Sequence, residues 1–244
     1  MPKGWKGLLP KMIRLTEGIL YTEPEDKTDR PVLAIISGSE RSLMVDGGNS
    51  PNHARAFLEE LHQHGLCKPD FVAITHAHCD HIFGLSALDS TIIANRITND
   101  RIMELQRLRW DDSSVAARVS SGQEHEMTAK MLKLEMPGDR TGFKICKPDL
   151  IYQDKLVLDL GDMTCHLGRI GGDHATDSTV IYVPDRKVAF IGDCLYLRNI
   201  NHAIVRELFE QLLSFPVEVY VDSHEARPIS RAGLKARYRA LELA

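Results

Sequence analysis

The chain has 244 residues, 43% of them hydrophobic and 26% charged, with a formal net charge of -4 and a pI near 6.3. That is enough for one large domain or two small ones with a sizeable core, and it supplies no bulk basic surface for nucleic acid. Five cysteines without a CxxC pair (Cys67, Cys79, Cys146, Cys165 and Cys194) argue against a disulfide framework and for a reducing cytoplasm.

The opening stretch "MPKGWKGLLPKMIRLTEGIL" begins with positive charge, but no apolar run of signal-peptide length follows. No window approaches the length of a membrane span. The expected location is therefore the cytoplasm, with no membrane partner. Strands are predicted at 12–21, 31–37 and 42–48. An amphipathic helix is predicted over 53–65, ending at Gly65. "FVAIT" (71–75) reads as a short buried strand, "HIFGLSAL" (81–88) as a helix and "TIIAN" (91–95) as another strand. Residues 95–145 have helical spacing and little β character. Strands resume in "KLVLDL", "MTCHLGRI", "STVIYVP" and "KVAFIGD", then come a helix at 202–214, the strand "VEVYVDSH" and a closing helix "SRAGLKARYRALEL". Both halves run from strands to helix, so the expectation is one α/β domain over 1–244 with a helical insertion at about 95–145.

Directly after "FVAIT", His76, His78, Asp80 and His81 form the pattern HxHxDH. Alternate residues of an extended segment face one side, so His76 and His78 can converge on one ion. The turn that follows can swing Asp80 and His81 towards a second. Imidazole and carboxylate suit zinc and related divalent metals. At this chain's own histidine and aspartate frequencies the pattern would arise by chance in roughly one of 600 such chains. Downstream, His174 sits in "GGDHATD" before a strand, Asp193 follows the next strand, and His224 ends a third. All can gather along one rim of a rigid scaffold.

This ordered set, with Asp46 in "LMVDGG" ahead of it, resembles the metallo-β-lactamase-fold hydrolases over residues 12 to 230. The resemblance implies an αββα four-layer sandwich. It also implies two divalent metal ions, zinc being the expected metal: one held by His76, His78 and His174, the other by Asp80, His81 and His224, with Asp193 bridging. Asp46 would orient a ligand. The implied chemistry is hydrolysis by a metal-bridging hydroxide, with Asp80 as a candidate proton relay.

The implied substrate is a small ester, thioester, lactone or amide. A metal-dependent phosphodiesterase or nuclease is the alternative, since family nucleases share these ligands; nucleic acid is nevertheless disfavoured as a partner by charge and length. A β-lactamase ranks lower. The enzymes with a cysteine ligand carry it where this chain has Asp193, although "HATDSTVIYVP" resembles their sequence around the third histidine. Asp193-Cys-Leu-Tyr196 resembles the Asp-x-x-Tyr of acyl-homoserine lactonases, which makes Tyr196 a catalytic candidate; the alternative is a tyrosine packed at a strand base. Cys79 reads as a spacer and Cys194 as a small buried residue. His62 and His64 are expected in solvent and His166 in the core. The 95–145 block either lies over the metals, with Trp110 and Met103 as apolar walls, or packs on the flank.

Overall fold

Gly18 divides the first predicted strand. In the computed structural model, which describes residues 10–197 and 201–242, the run folds as β1 (Met12–Thr16) and β2 (Ile19–Thr22), paired antiparallel. Gly18 has a φ of 74°, which lets the chain reverse where a side chain would be strained. Residues 1–9 of the opening stretch and Leu243 of the closing helix lie outside the described residues.

Strands β3 (Ala34–Ser37) and β4 (Ser42–Val45) extend this sheet. Helix α1 (Pro51–Gln63) starts two residues before the predicted range, because Ser50 caps it by accepting from the His53 N–H and Pro51 needs no partner for its nitrogen. Then follow β5 (Phe71–Ala73), the single-turn helix α2 (Cys79–Ile82), a 3-10 turn and β6 (Thr91–Asn95). The insertion is three helices, α3 (Arg96–Leu105), α4 (Asp112–Ser120) and α5 (Glu126–Glu135). It forms the crossover from β6 to its parallel neighbour β7 (Leu150–Tyr152). The second half runs β8 (Lys155–Asp159), β9 (Thr164–Arg169), β10 (Thr179–Val183), β11 (Val188–Phe190), α6 (His202–Ser214), β12 (Val219–Val221), β13 (Ile229–Ser230) and α7 (Arg231–Glu242).

One sheet has the order β1-β2-β3-β4-β5-β6-β7 and the other β13-β12-β11-β10-β9-β8. Their alternating side chains build three cores, and three cores require four layers. On the first sheet, Leu33, Ile35, Met44 and Val72 pack outward against Phe57 and Leu61 of α1 and against the insertion. Ala34, Ile36, Leu43 and Val45 face inward, meeting Leu167, Ile181, Val183 and Phe190 of the second sheet. Val180, Tyr182 and Ala189 turn outward onto Val205, Leu208 and Phe209 of α6 and Leu234 of α7. The αββα sandwich follows from this period-2 pattern, with each large buried side chain contributing about 1.5–3 kcal/mol.

Two sequence expectations fail here. His166 is exposed rather than in the core: on β9 its neighbours Cys165 and Leu167 take the inward positions, and strand alternation turns His166 out, towards Tyr182. Trp110 is no pocket wall. It is 1% exposed, sits in the core under the insertion and meets the Phe83 ring edge-on, centroids 4.6 Å apart. Met103 lies on the surface instead.

Candidate metal centre

The parallel strands aim their C-terminal ends at one rim, where loops gather in α/β sheets. Asp46 follows β4, the segment Thr75–His81 follows β5, Asp193 follows β11 and His224 follows β12. Backbone bonds join these loops, one between the two sheets and one within the second. Thr179 N donates to Thr75 O at 2.8 Å, and Ser223 N donates to Gly192 O at 3.0 Å. Gly192 has a φ of 55°, and a Cβ there would meet Thr75 Cβ and Oγ1 at 3.0 Å, so glycine lets the Asp193 loop approach the histidine loop.

The rim brings together all seven side chains expected as ligands. Around one point lie His76 Nε2, His78 Nδ1, His174 Nε2 and an Asp193 oxygen. His78 Nδ1 is 2.9 Å from both other nitrogens, and Asp193 Oδ2 is 3.3 Å from His174 Nε2 and 3.9 Å from His76 Nε2. Around a second point lie Asp80, His81, His224 and Asp193. Asp80 Oδ2 is 3.1 Å from both His81 Nε2 and His224 Nε2, and Asp193 Oδ1 is 3.2 Å from His81 Nε2. Donors at 2.0–2.1 Å from a tetrahedral ion stand about 3.3 Å apart, and these separations bracket that value.

The donors fit an ion better than they fit one another. Three imidazoles converge on one point, where a ring nitrogen can share at most one proton with one neighbour. His81 Nε2 and Asp193 Oδ1 are buried 3.2 Å apart without the alignment of a hydrogen bond. A divalent ion in each group satisfies both facts.

The far sides of the rings are held. Asp46, fully buried at a φ of 60°, accepts from Thr75 N at 2.7 Å and Thr75 Oγ1 at 2.8 Å, and its Oδ2 lies 2.8 Å from His81 Nδ1. Thr75 Oγ1 also lies 3.1 Å from His76 Nδ1. Such contacts fix tautomer and orientation, so that the opposite nitrogen faces the ion. Two further carboxylates brace the loops, with no clear sequence signal beyond their position beside a ligand. Asp177 accepts from Ala77 N at 2.9 Å, and Asp222 accepts from His224 N at 3.1 Å and Leu195 N at 3.3 Å. Burial lifts the Asp222 carboxyl to about 6.

Electrostatics agree with a site built for cations. Burial opposes charge on His224, but the Asp80 hydrogen bond and the Asp193 and Asp80 carboxylates outweigh it and lift its pKa to about 9. Burial likewise opposes charge on His81, and Asp80, Asp193 and Asp46 together raise it well above the ordinary value. His76 goes the other way, pushed down by burial and by His81. Without metal, protons on His81 and His224 do part of what a second cation would do.

Neither Cys79 nor Cys194 belongs to either donor group. Cys194 is fully buried and its thiol is pushed far up by burial, as suits a small core residue. Tyr196 does not pack at a strand base: it is 59% exposed, and its ring meets His174 edge-on with centroids 5.6 Å apart. His62 and His64 lie exposed on α1 and its end. The insertion flanks the loop that carries His174: on α3, Thr98 Oγ1 donates to Asp177 O at 3.4 Å and Arg101 Nε lies 3.6 Å from Asp177 Oδ1.

A family model described as the metallo-beta-lactamase superfamily matches residues 30–231. No curated protein matches the chain at a significant level. Among solved structures, a metallo-beta-lactamase from Pontibacter korlensis superposes with a TM-score of 0.66 at 15% identity, covering 96% of this chain and 100% of that one. A metallo-beta-lactamase family protein from Thermus thermophilus gives 0.65 at 17% identity, covering 94% and 81%. One from Erythrobacter litoralis gives 0.64 at 13%, covering 98% and 99%. At these identities the structural likeness shows the fold alone.

Proposed function

Because the chain belongs to the metallo-beta-lactamase superfamily of metal-dependent hydrolases, we propose that it cleaves a small ester, thioester, lactone or amide, with zinc as its metal. The observation that carries the proposal is the pair of four-donor groups sharing Asp193. Two divalent ions there would acidify a water to near neutrality and polarise the substrate's oxygen.

The chain's own residues do the rest. His76, His78 and His174 would hold one ion through three uncharged ligand nitrogens, which would leave its positive charge available to polarise a substrate oxygen. Asp80 and Asp193 add negative charge on the other, where His81 and His224 complete the set. Asp80, with its Oδ2 3.1 Å from two imidazoles, is also the candidate proton relay. Tyr196 is exposed beside His174, which supports a phenol reaching the substrate carbonyl. Tyr196→Phe should then lower kcat about 10²-fold, the effect of removing one oxyanion donor, with little change in KM. An unchanged kcat removes Tyr196 from the mechanism.

A metal-dependent phosphodiesterase is the alternative reading; the basic Arg101 beside the His174 loop is engaged by Asp177, its Nε 3.6 Å from Asp177 Oδ1. The five cysteines are unpaired, which supports a reducing compartment, and no helix among the described residues is long and apolar enough to cross a membrane.

The test is a hydrolysis screen of nitrophenyl esters, thioesters, lactones and bis-nitrophenyl phosphate, with and without chelator. Chelator-sensitive turnover of the acyl compounds is expected, abolished by His78→Ala with the fold retained. Turnover of the phosphodiester alone would reverse the reading.

A further inference from the structure

Strands β7 and β8 are consecutive, joined by two residues, and each ends its own sheet. β8 pairs with β9 on one side, from Lys155 opposite Gly168 to Asp159 opposite Thr164, and no strand among the described residues pairs with its other side. The bonds at its two ends fix which backbone groups are already used. Arg169 N donates to Asp154 O at 3.5 Å, and Leu160 N donates to Met163 O at 3.0 Å. In an antiparallel ladder such pairs alternate with pairs whose N–H and C=O point away from the partner strand. Leu156 and Leu158 therefore bond to β9, whereas Lys155, Val157 and Asp159 turn their N–H and C=O to the open side.

The side chains alternate in step. Leu156 and Leu158 point between the sheets, where they pack half-buried against the inter-sheet core. Val157 takes the outer face opposite His166 of β9 and is 55% exposed. On β7, Leu150 and Ile151 are exposed as well. Open edges are commonly blunted by charges that repel another strand, but the charges here are placed to match one. The segment "KLVLD" is symmetric about Val157, with a cation two residues before it and an anion two residues after. Laid antiparallel on a copy of itself about Val157, it sets each Lys155 opposite an Asp159, each Leu156 opposite a Leu158, and Val157 opposite Val157. Asp159 Oδ1 accepts from Gly161 N at 2.9 Å, which leaves Oδ2 for the lysine. Sliding the copies by two residues loses both charge pairs, and sliding by four sets like charges opposite each other, which repels.

We propose that the open edge of β8 is a dimerisation surface and that its occupant is β8 of a second copy of this chain. The three outward residues of each strand pair off, which gives about six backbone bonds between the copies and joins their six-stranded sheets into one. The contact uses the same surface on both copies, so it closes at two. Leu156 and Leu158 fall in the pairs without backbone bonds, where facing side chains come closest. None of the candidate ligands lies on β7 or β8, so the contact can be broken without touching the metal centre.

The test is sedimentation equilibrium of the full zinc-loaded chain across micromolar concentrations, where monomer and dimer alone are expected. Lys155→Asp and Asp159→Lys each turn both cross-strand ion pairs into like-charge pairs, and each should weaken self-association at least about tenfold. Mixed in equal amounts, the two variants should form a heterodimer about as tight as the unaltered dimer, because every charge again meets its opposite. Where a charge variant fails to fold, Val157→Lys decides: the position is exposed, and two lysines face each other across the centre of the contact. It too should dissociate the dimer while circular dichroism stays unchanged. A monomer at every concentration, with the edge open or covered by another segment of the chain, overturns the proposal. Assembly beyond two copies, a dimer that survives these substitutions, or a mixture of the two charge variants that stays monomeric overturns it equally.

Discussion

Asp46 reaches three donors from a left-handed backbone, and nothing in its sequence neighbourhood except the following two glycines marks that geometry. Asp46→Asn keeps an acceptor for Thr75 but can turn an amide towards His81. The expected outcome is a 10–100-fold loss of affinity at the second ion, the usual effect of removing such a partner, with the first ion retained. Stepwise zinc titration against a competing chelator measures both, and equal affinity in the variant would show that His81 is oriented by something else. The histidines also set a pH profile for the metal-free protein. His53 is buried and pushed well below the ordinary value by burial and by Arg30, and His76 behaves alike. Below about pH 6.5 the unfolded chain takes up protons that these folded residues refuse, and stability falls as pH falls, by about 1.4 kcal/mol per pH unit for each group. His224 has the opposite sign. Its folded value of about 9 gives stability that is fully present below its unfolded value and lost as pH rises through 9. Denaturant melts of the metal-free protein should therefore show an optimum near neutrality, and His53→Asn should flatten the acid side.

At the scale of elements, a buried ion pair ties the insertion to the β2–β3 loop. Arg30 and Glu135 meet through two bonds of 2.9 Å, and Glu135 also accepts from Ser50 Oγ at 3.0 Å, the residue that caps α1. Removing one member of a buried pair leaves the other uncompensated, at about 3–5 kcal/mol. Glu135→Ala should lower stability by that amount in denaturant melts. Because Arg30 lies in the β2–β3 loop, the variant should also loosen that loop, seen as faster amide exchange over residues 25–32. A loss confined to the insertion would break the proposed link between the two. The strand cores were legible in the sequence because alternation separates Ile35 from Ile36 and Val180 from Ile181. The ligand set was legible because HxHxDH compresses four donors into six positions. Other features were not legible. Gly18 gives no local sign that it divides a strand, and Trp110 looks like a pocket wall until Phe83, from a distant turn, packs on it.

The whole molecule is a scaffold that converts two sheets into one edge. The central strands of each sheet are buried on both faces, so the loops at their ends carry the polar chemistry. The two sheets are joined near the ligands by Thr179 to Thr75 and Val32 to Ser223. Metal loading and global stability are coupled as a result, because ions held by loops from both sheets bind the folded state alone. Zinc should therefore raise the unfolding midpoint, chelator should lower it, and His78→Ala should abolish most of the difference. The most direct measurement is anomalous diffraction at the zinc edge from crystals of the zinc-loaded protein. The account predicts two peaks about 3.5–4 Å apart, one inside the His76, His78 and His174 group and one inside the Asp80, His81 and His224 group, with Asp193 between them. A single peak, or peaks away from Asp193, would contradict it.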